Sequence, residues 1–256
     1  MIIDKRKTPH QEILFVRETN EKIRVWEGEM LSKEQAREIS GIENVEWSSE
    51  FWKKIELNLN NCLNIYTHID LVQGKGTAFR SREKYLTTLL KRKFQNKNFL
   101  NSSEIIDNLR MIKHPLEIIQ IKKAIEITKL GFERAAKFLK AGTYEFELEA
   151  EISHEFYKQR SRNHAFQPIM ASGKNACVLH YQSNNEICKY GDTILMDFGA
   201  EYGNYKADMT RVLPVNGKFT KAANRSKMHR TNDAWIDPQR PETVARLGQY
   251  KCALTV

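Results

Sequence analysis

Residues 193–214, TILMDFGAEYGNYKADMTRVLP, decide how the rest of the chain is read. They form two alternating runs around Gly203-Asn204, residue types that tolerate positive φ. In the first run Ile194, Met196 and Phe198 share one face, which leaves Asp197 on the other with Thr193 and Leu195. Asp208 lies in the second run, Tyr205 to Val215. A turn centred on Tyr202-Gly203 sets Asp197 directly opposite Asp208. One centred on Gly203-Asn204 leaves them diagonal, roughly 7–8 Å apart at Cα. In either register two carboxylates repel, and burying one unpaired costs roughly several kcal/mol. A shared proton, an arginine or a divalent cation would relieve this. Arg211 points away from the face of Asp208, because strand side chains alternate. Oxygen ligands from paired acids suit Mn²⁺, Mg²⁺ or Zn²⁺. The spacing alone fits two solvent-facing hairpin acids equally well.

The wording of the segment adds information. Asp197-Phe198-Gly199-Ala200-Glu201-Tyr202, Tyr205, Ala207-Asp208-Met209-Thr210-Arg211 and Pro214-Val215-Asn216-Gly217-Lys218-Phe219 resemble the metal-binding hairpin of Xaa-Pro aminopeptidases. These are pita-bread metallopeptidases of family M24, alongside prolidase, methionine aminopeptidase and creatinase. Upstream, Arg110, Lys113, Pro115, Glu117 and Ile118 resemble the family's entry into its catalytic domain. Pro168-Ile169-Met170-Ala171-Ser172-Gly173-Lys174-Asn175 and Leu179-His180-Tyr181 resemble its substrate-side segment. The resemblance covers about residues 10–220, with several unrelated motifs in the right order.

The resemblance implies a peptidase that removes an N-terminal residue preceding proline, using two manganese ions. Asp197 would bind one metal and Asp208 would bridge both. His180, 17 residues before Asp197, would line the pocket, bind substrate and shuttle protons, a role suited to an imidazole near neutral pH. Thr210 shares the face of Asp208 and would orient it by a hydrogen bond. The chemistry implied is metal-assisted hydrolysis, in which the cations activate water and polarise the scissile carbonyl. Homo-oligomers are common in such families and are expected here.

The family site has five protein ligands: these two aspartates, then a histidine and two glutamates further downstream. After Asp208 the chain offers His229 and Glu242, neither in matching context. The likeness is read to end near Thr220, and residues 221–256 form an atypical basic tail with little periodicity, expected to be disordered. A shifted reading frame or a truncated gene would produce such a tail. The expectation is a chain truncated at both ends, incomplete and weakly active or inactive. Prolidase is the alternative enzyme. Creatinase fits less well, since metal-free members need not keep both aspartates. A non-catalytic binding protein that retains the pita-bread surface is the alternative from another class.

The formal charge of +9 raises the question of nucleic acid. Residues 217–256 hold eight Lys or Arg against three acids, a net +5 of that +9, so +4 remains for the other 216. That is an ordinary surface balance, and nucleic acid is not the expected partner. No apolar run approaches a membrane span, and MIIDKRKTPHQ has no signal-peptide core, so a cytoplasmic location is expected. Cys62, Cys177, Cys188 and Cys252 lack close paired spacing and are expected to be reduced thiols, several of them buried.

In chain order, Ile13-Leu14-Phe15-Val16 and Ile23-Arg24-Val25-Trp26 suggest a hairpin ended by Gly28. Ser32-Lys33-Glu34-Gln35 has capping-box spacing and predicts a helix through Ile39. Val45–Trp47 and Leu63–Tyr66 read as strands, and Phe51–Leu57 as a helix. Residues 81–95 predict an amphipathic helix with Tyr85, Leu86, Leu89 and Leu90 inward. Gly74-Lys75-Gly76-Thr77 lacks Walker spacing and reads as a flexible loop. A helix over Ser103–Ile112 precedes a long one from Pro115, with Ile118, Ile121, Ala124, Ile125, Thr128, Phe132, Ala135 and Leu139 at helical spacing. A third, Glu145–Arg160, should bury Phe146, Leu148, Ile152 and Phe156. The predicted fold is a partial α/β creatinase-like N-terminal domain over 1–102. Residues 103–220 follow as the N-terminal portion of an α+β pita-bread domain whose C-terminal part is missing.

Overall fold

A computed structural model describes residues 1–60, 62–68 and 81–220. The loop at Gly74–Thr77 and the tail 221–256, with His229, Glu242 and Cys252, lie outside the described residues. The chain divides into two compact units, Met1–Arg110 and Met111–Val256. The sequence-based boundary at 102/103 instead falls at the start of a helix.

The first unit has α/β character. Its elements are β1 (Ile2–Asp4), β2 (Gln11–Val16), α1 (Glu21–Glu27), α2 (Lys33–Ser40), β3 (Val45–Trp47), α3 (Phe51–Leu59), β4 (Asn64–Thr67), α4 (Arg82–Lys93) and β5 (Asn98–Asn101), with α5 (Ser103–Met111) at its end. β2 pairs antiparallel with β1 and parallel with β3, while β4 and β5 form a parallel pair. The capping box predicted at Ser32 is present, its hydroxyl accepting from Gln35 N and the Gln35 side chain accepting from Ser32 N. Ile55, Leu59, Ile65 and Leu90 form the core of this unit.

Three expectations fail here. Residues 23–26 are not the second arm of a hairpin but part of α1. Asn20 caps that helix by accepting from Ile23 N at 2.9 Å, and β2 already has partners on both edges. No residue of α1 is buried, so its apolar side chains carry no strand-face information. On α4, Tyr85 faces solvent while Thr87 and Leu90 are buried. Of the free thiols at Cys62, Cys177 and Cys188, only Cys188 is buried.

The second unit is α+β. Helices α6 (Pro115–Phe138) and α7 (Glu145–Lys158) are followed by β6 (Asn163–His164), β7 (Ile169–Ser172), β8 (Thr193–Phe198), β9 (Ala200–Tyr202), β10 (Tyr205–Lys206) and β11 (Met209–Pro214). Two antiparallel sheets result, ordered β10-β9-β6 and β11-β8-β7. Pro115 occupies the first turn of α6, and the ring of His114 accepts from Leu116 N while Glu117 accepts from His114 N. The core joins Ile127, Phe132 and Ala135 of α6 to Leu148, Ile152 and Phe156 of α7, and to Met170, Ile194, Met196 and Phe198 of the sheet. On α6 the predicted Ile118 is exposed, whereas Ile127, absent from the predicted stripe, is fully buried. On α7 the predicted Phe146 is half exposed; its neighbour Glu145 is fully buried instead.

Candidate functional site

Gly203 and Asn204 both take positive φ, 57° and 65°, and form the two-residue turn that glycine and asparagine favour. That turn selects one of the two open registers. Tyr205 pairs with Tyr202, and Thr210, not Asp208, stands directly across from Asp197. Asp208 is exposed in the break between β10 and β11, two residues before Thr210, and so stands diagonal to Asp197 in this register. Opposite Asp208 lies Gly199, where the strands approach so closely that a Cβ would sit 1.7 Å from Ala207 O. On the other side of β8, Asp197 is paired with Ile169 of β7.

The alternation expected along β8 is present, with Ile194, Met196 and Phe198 fully buried and Asp197 half-buried. Burial raises the Asp197 carboxyl above its ordinary range. Thr210, which stands across the strands from it, works against the rise; the charge of Asp208 adds to it, and His180 pulls it back. The charges of His180 and Asp208 are thus both felt at Asp197, across from which Thr210 stands. Thr210 stands across from Asp197, whereas the sequence reading pairs it with Asp208 on the same face. The reason is the register, which sets Thr210 against Asp197. Asp197 Oδ1 is buried without a hydrogen-bond partner.

His180 is exposed, on the segment that follows the 3-10 turn Gly173–Cys177. Behind that segment lies a feature that sequence reasoning missed. The Glu145 carboxylate is completely buried and accepts from Ser172 N, Ser172 Oγ, Tyr181 Oη and Glu186 N at 2.7–3.0 Å. An acid at a helix start is ordinary, since it complements the helix dipole, so nothing in the spacing marks it as interior. Farther along the hairpin, Tyr205 Oη donates to Glu117 Oε1 at 2.6 Å and ties the turn to α6.

Comparison with known proteins places this geometry. Residues 119–239 match the model described as metallopeptidase family M24, and residues 1–66 that of the aminopeptidase P N-terminal domain. The chain belongs to metallopeptidase family M24. The M24 match runs past Thr220, where the likeness is read from sequence to end. An Xaa-Pro aminopeptidase of Escherichia coli K12 is 31% identical over 230 residues, 87% of this chain and 51% of that protein. Escherichia coli aminopeptidase P in complex with substrate superposes with a TM-score of 0.71 at 30% identity, covering 83% of this chain and 49% of that one. Proline aminopeptidase P II from Yersinia pestis gives 0.72 at 30%, over 84% and 50%. The chain spans about half the length of the curated relatives it matches.

M24 membership implies divalent metal use. The residues present fit one side of such a site: two hard carboxylates, one on β8 and one in the break between β10 and β11, the first with a buried oxygen that no donor satisfies. Among the described residues no group of three or more His, Cys, Asp or Glu is placed to hold a metal ion. Likewise, among those residues no helix is long and apolar enough to cross a membrane.

Proposed function

We propose that this chain carries the Asp197–Asp208 part of an Xaa-Pro aminopeptidase site, acting on peptides with proline in second position and using two manganese ions. The observation that carries the reading is the buried, unpartnered carboxylate oxygen of Asp197, with Thr210 across from it and the charges of Asp208 and His180 acting on it. Asp197 and Asp208 would hold cations, which when bound supply Lewis acidity toward water and the scissile carbonyl. Thr210 holds Asp197 in orientation. His180, exposed at the rim, is placed to meet the substrate and move a proton.

Two carboxylates bind a divalent cation weakly, on the order of 1 mM, because most of its coordination stays with water. The polypeptide made alone is therefore expected to release little or no N-terminal residue from a Gly-Pro-containing tripeptide in excess Mn²⁺. Calorimetric Mn²⁺ binding should be weak in the wild type and lost in Asp197→Asn and Asp208→Asn. Binding unchanged by both substitutions would overturn the assignment of the ligands. Brisk, chelator-sensitive turnover would overturn the expectation of low activity, and a preference for the Gly-Pro dipeptide would favour prolidase.

A further inference from the structure

Glu145 accepts from five donors. Ser172 N at 2.7 Å, Ser172 Oγ at 2.8 Å and Asn175 Nδ2 at 3.4 Å reach Oε1, while Tyr181 Oη at 2.8 Å and Glu186 N at 3.0 Å reach Oε2. No basic side chain is among them. The backbone closes the same knot, with Glu145 N donating to Glu186 O and Cys188 N to Thr143 O. A fully buried carboxylate costs several kcal/mol unless donors surround it, so this set is a condition of its burial. Every donor comes from residues 172–186, the stretch that carries His180, and Tyr181 is its immediate neighbour.

We propose that Glu145 is a positioning residue of the site: its carboxylate anchors residues 172–186 and, through Tyr181, sets where the imidazole of His180 stands relative to Asp197. The five hydrogen bonds of the anchor all go to residues 172–186 and none to the hairpin carboxylates. Burial and the bond to Glu145 push the Tyr181 phenol up to about 12, which keeps it a donor across the working pH range. The proposal rests on the role given to His180 above.

The test uses the full chain with ¹³C-labelled histidine, the His180 ring signal being identified by its loss in His180→Gln. In Glu145→Ala, amides of 172–186 should exchange at least about tenfold faster while those of β8 and β11 keep their protection. The His180 signal should move toward that of an unstructured histidine. Tyr181→Phe, which deletes one hydroxyl and keeps the ring, should shift the same signal with the sheet intact; this covers the case in which Glu145→Ala fails to fold. An unmoved His180 signal in Tyr181→Phe, or unchanged exchange over 172–186 in a folded Glu145→Ala, overturns the proposal. Added Mn²⁺ separately broadens the wild-type His180 signal if a cation sits at Asp197 and Asp208. Absence of broadening sinks that reading and leaves the anchor to be judged by exchange.

Discussion

Asp4 and Asp197 show how one residue type takes opposite roles from its surroundings. Asp4 receives Arg6 Nη2 on Oδ2 at 2.7 Å and Nε on Oδ1 at 2.8 Å, and Arg6 holds its carboxyl down at about 2. An unfolded aspartate titrates near 3.9, so the native state releases this proton first. The stability contributed is fully present above about pH 4 and is lost as pH falls toward 2. Asp4→Asn should therefore lower the unfolding free energy at pH 7 by about 1 kcal/mol, read as a lower urea midpoint, for a pair with one partly exposed member. The difference should shrink steeply as pH falls from 4 and disappear only below 2; a cost unchanged across that range would show that the ion pair is not its cause. Asp197 meets burial first, and the charge of Asp208 adds to it, so its carboxyl moves up. Glu145 is a third outcome: it is as deep as any core residue, and donors replace a counter-charge. Its neighbours in sequence disclose none of this, because its donors lie 27–41 residues away.

The hairpin that carries Asp197 and Asp208 depends on two backbone requirements. One is the pair of positive φ values at Gly203 and Asn204, which sets the register. The other is the close approach at Gly199, where a side chain would collide with the carbonyl of Ala207. Gly199→Ala should destabilise the second unit by at least about 3 kcal/mol, since backbone rather than a flexible side chain must move. Chemical denaturation checks this; a loss under about 1 kcal/mol would mean the strands can part without penalty. Helix α1 teaches the converse lesson. Ile23–Trp26 has strand-like composition, yet a local bond from Asn20 is enough to make it helical where no tertiary partner competes.

Over the whole molecule, the sheet β11-β8-β7 ends in two edges, and β11, which carries Thr210, is one of them. The face of Asp208 and Thr210 also exposes Val212. If the two aspartates hold a cation with a dissociation constant on the order of 1 mM, 10 mM Mn²⁺ should stabilise the fold by about 1.4 kcal/mol through mass action. The gain should disappear in Asp197→Asn, which in chelator should be no less stable than the wild type because it removes a half-buried charge. A gain of the same size in Asp197→Asn would place the cation elsewhere. Much of the fold was legible: the capping box at Ser32, the Pro115 start of α6 and the buried alternation of β8 all follow from patterns within a few residues.

The sequence by itself determined that Asp197 and Asp208 belong to a hairpin with an apolar reverse face, because strand alternation and turn chemistry are local. Only the tertiary structure decided that the acids lie diagonal, that Thr210 stands across from Asp197, and that Glu145 is interior. Register and burial depend on which distant segments pack together, and chain spacing carries no record of that.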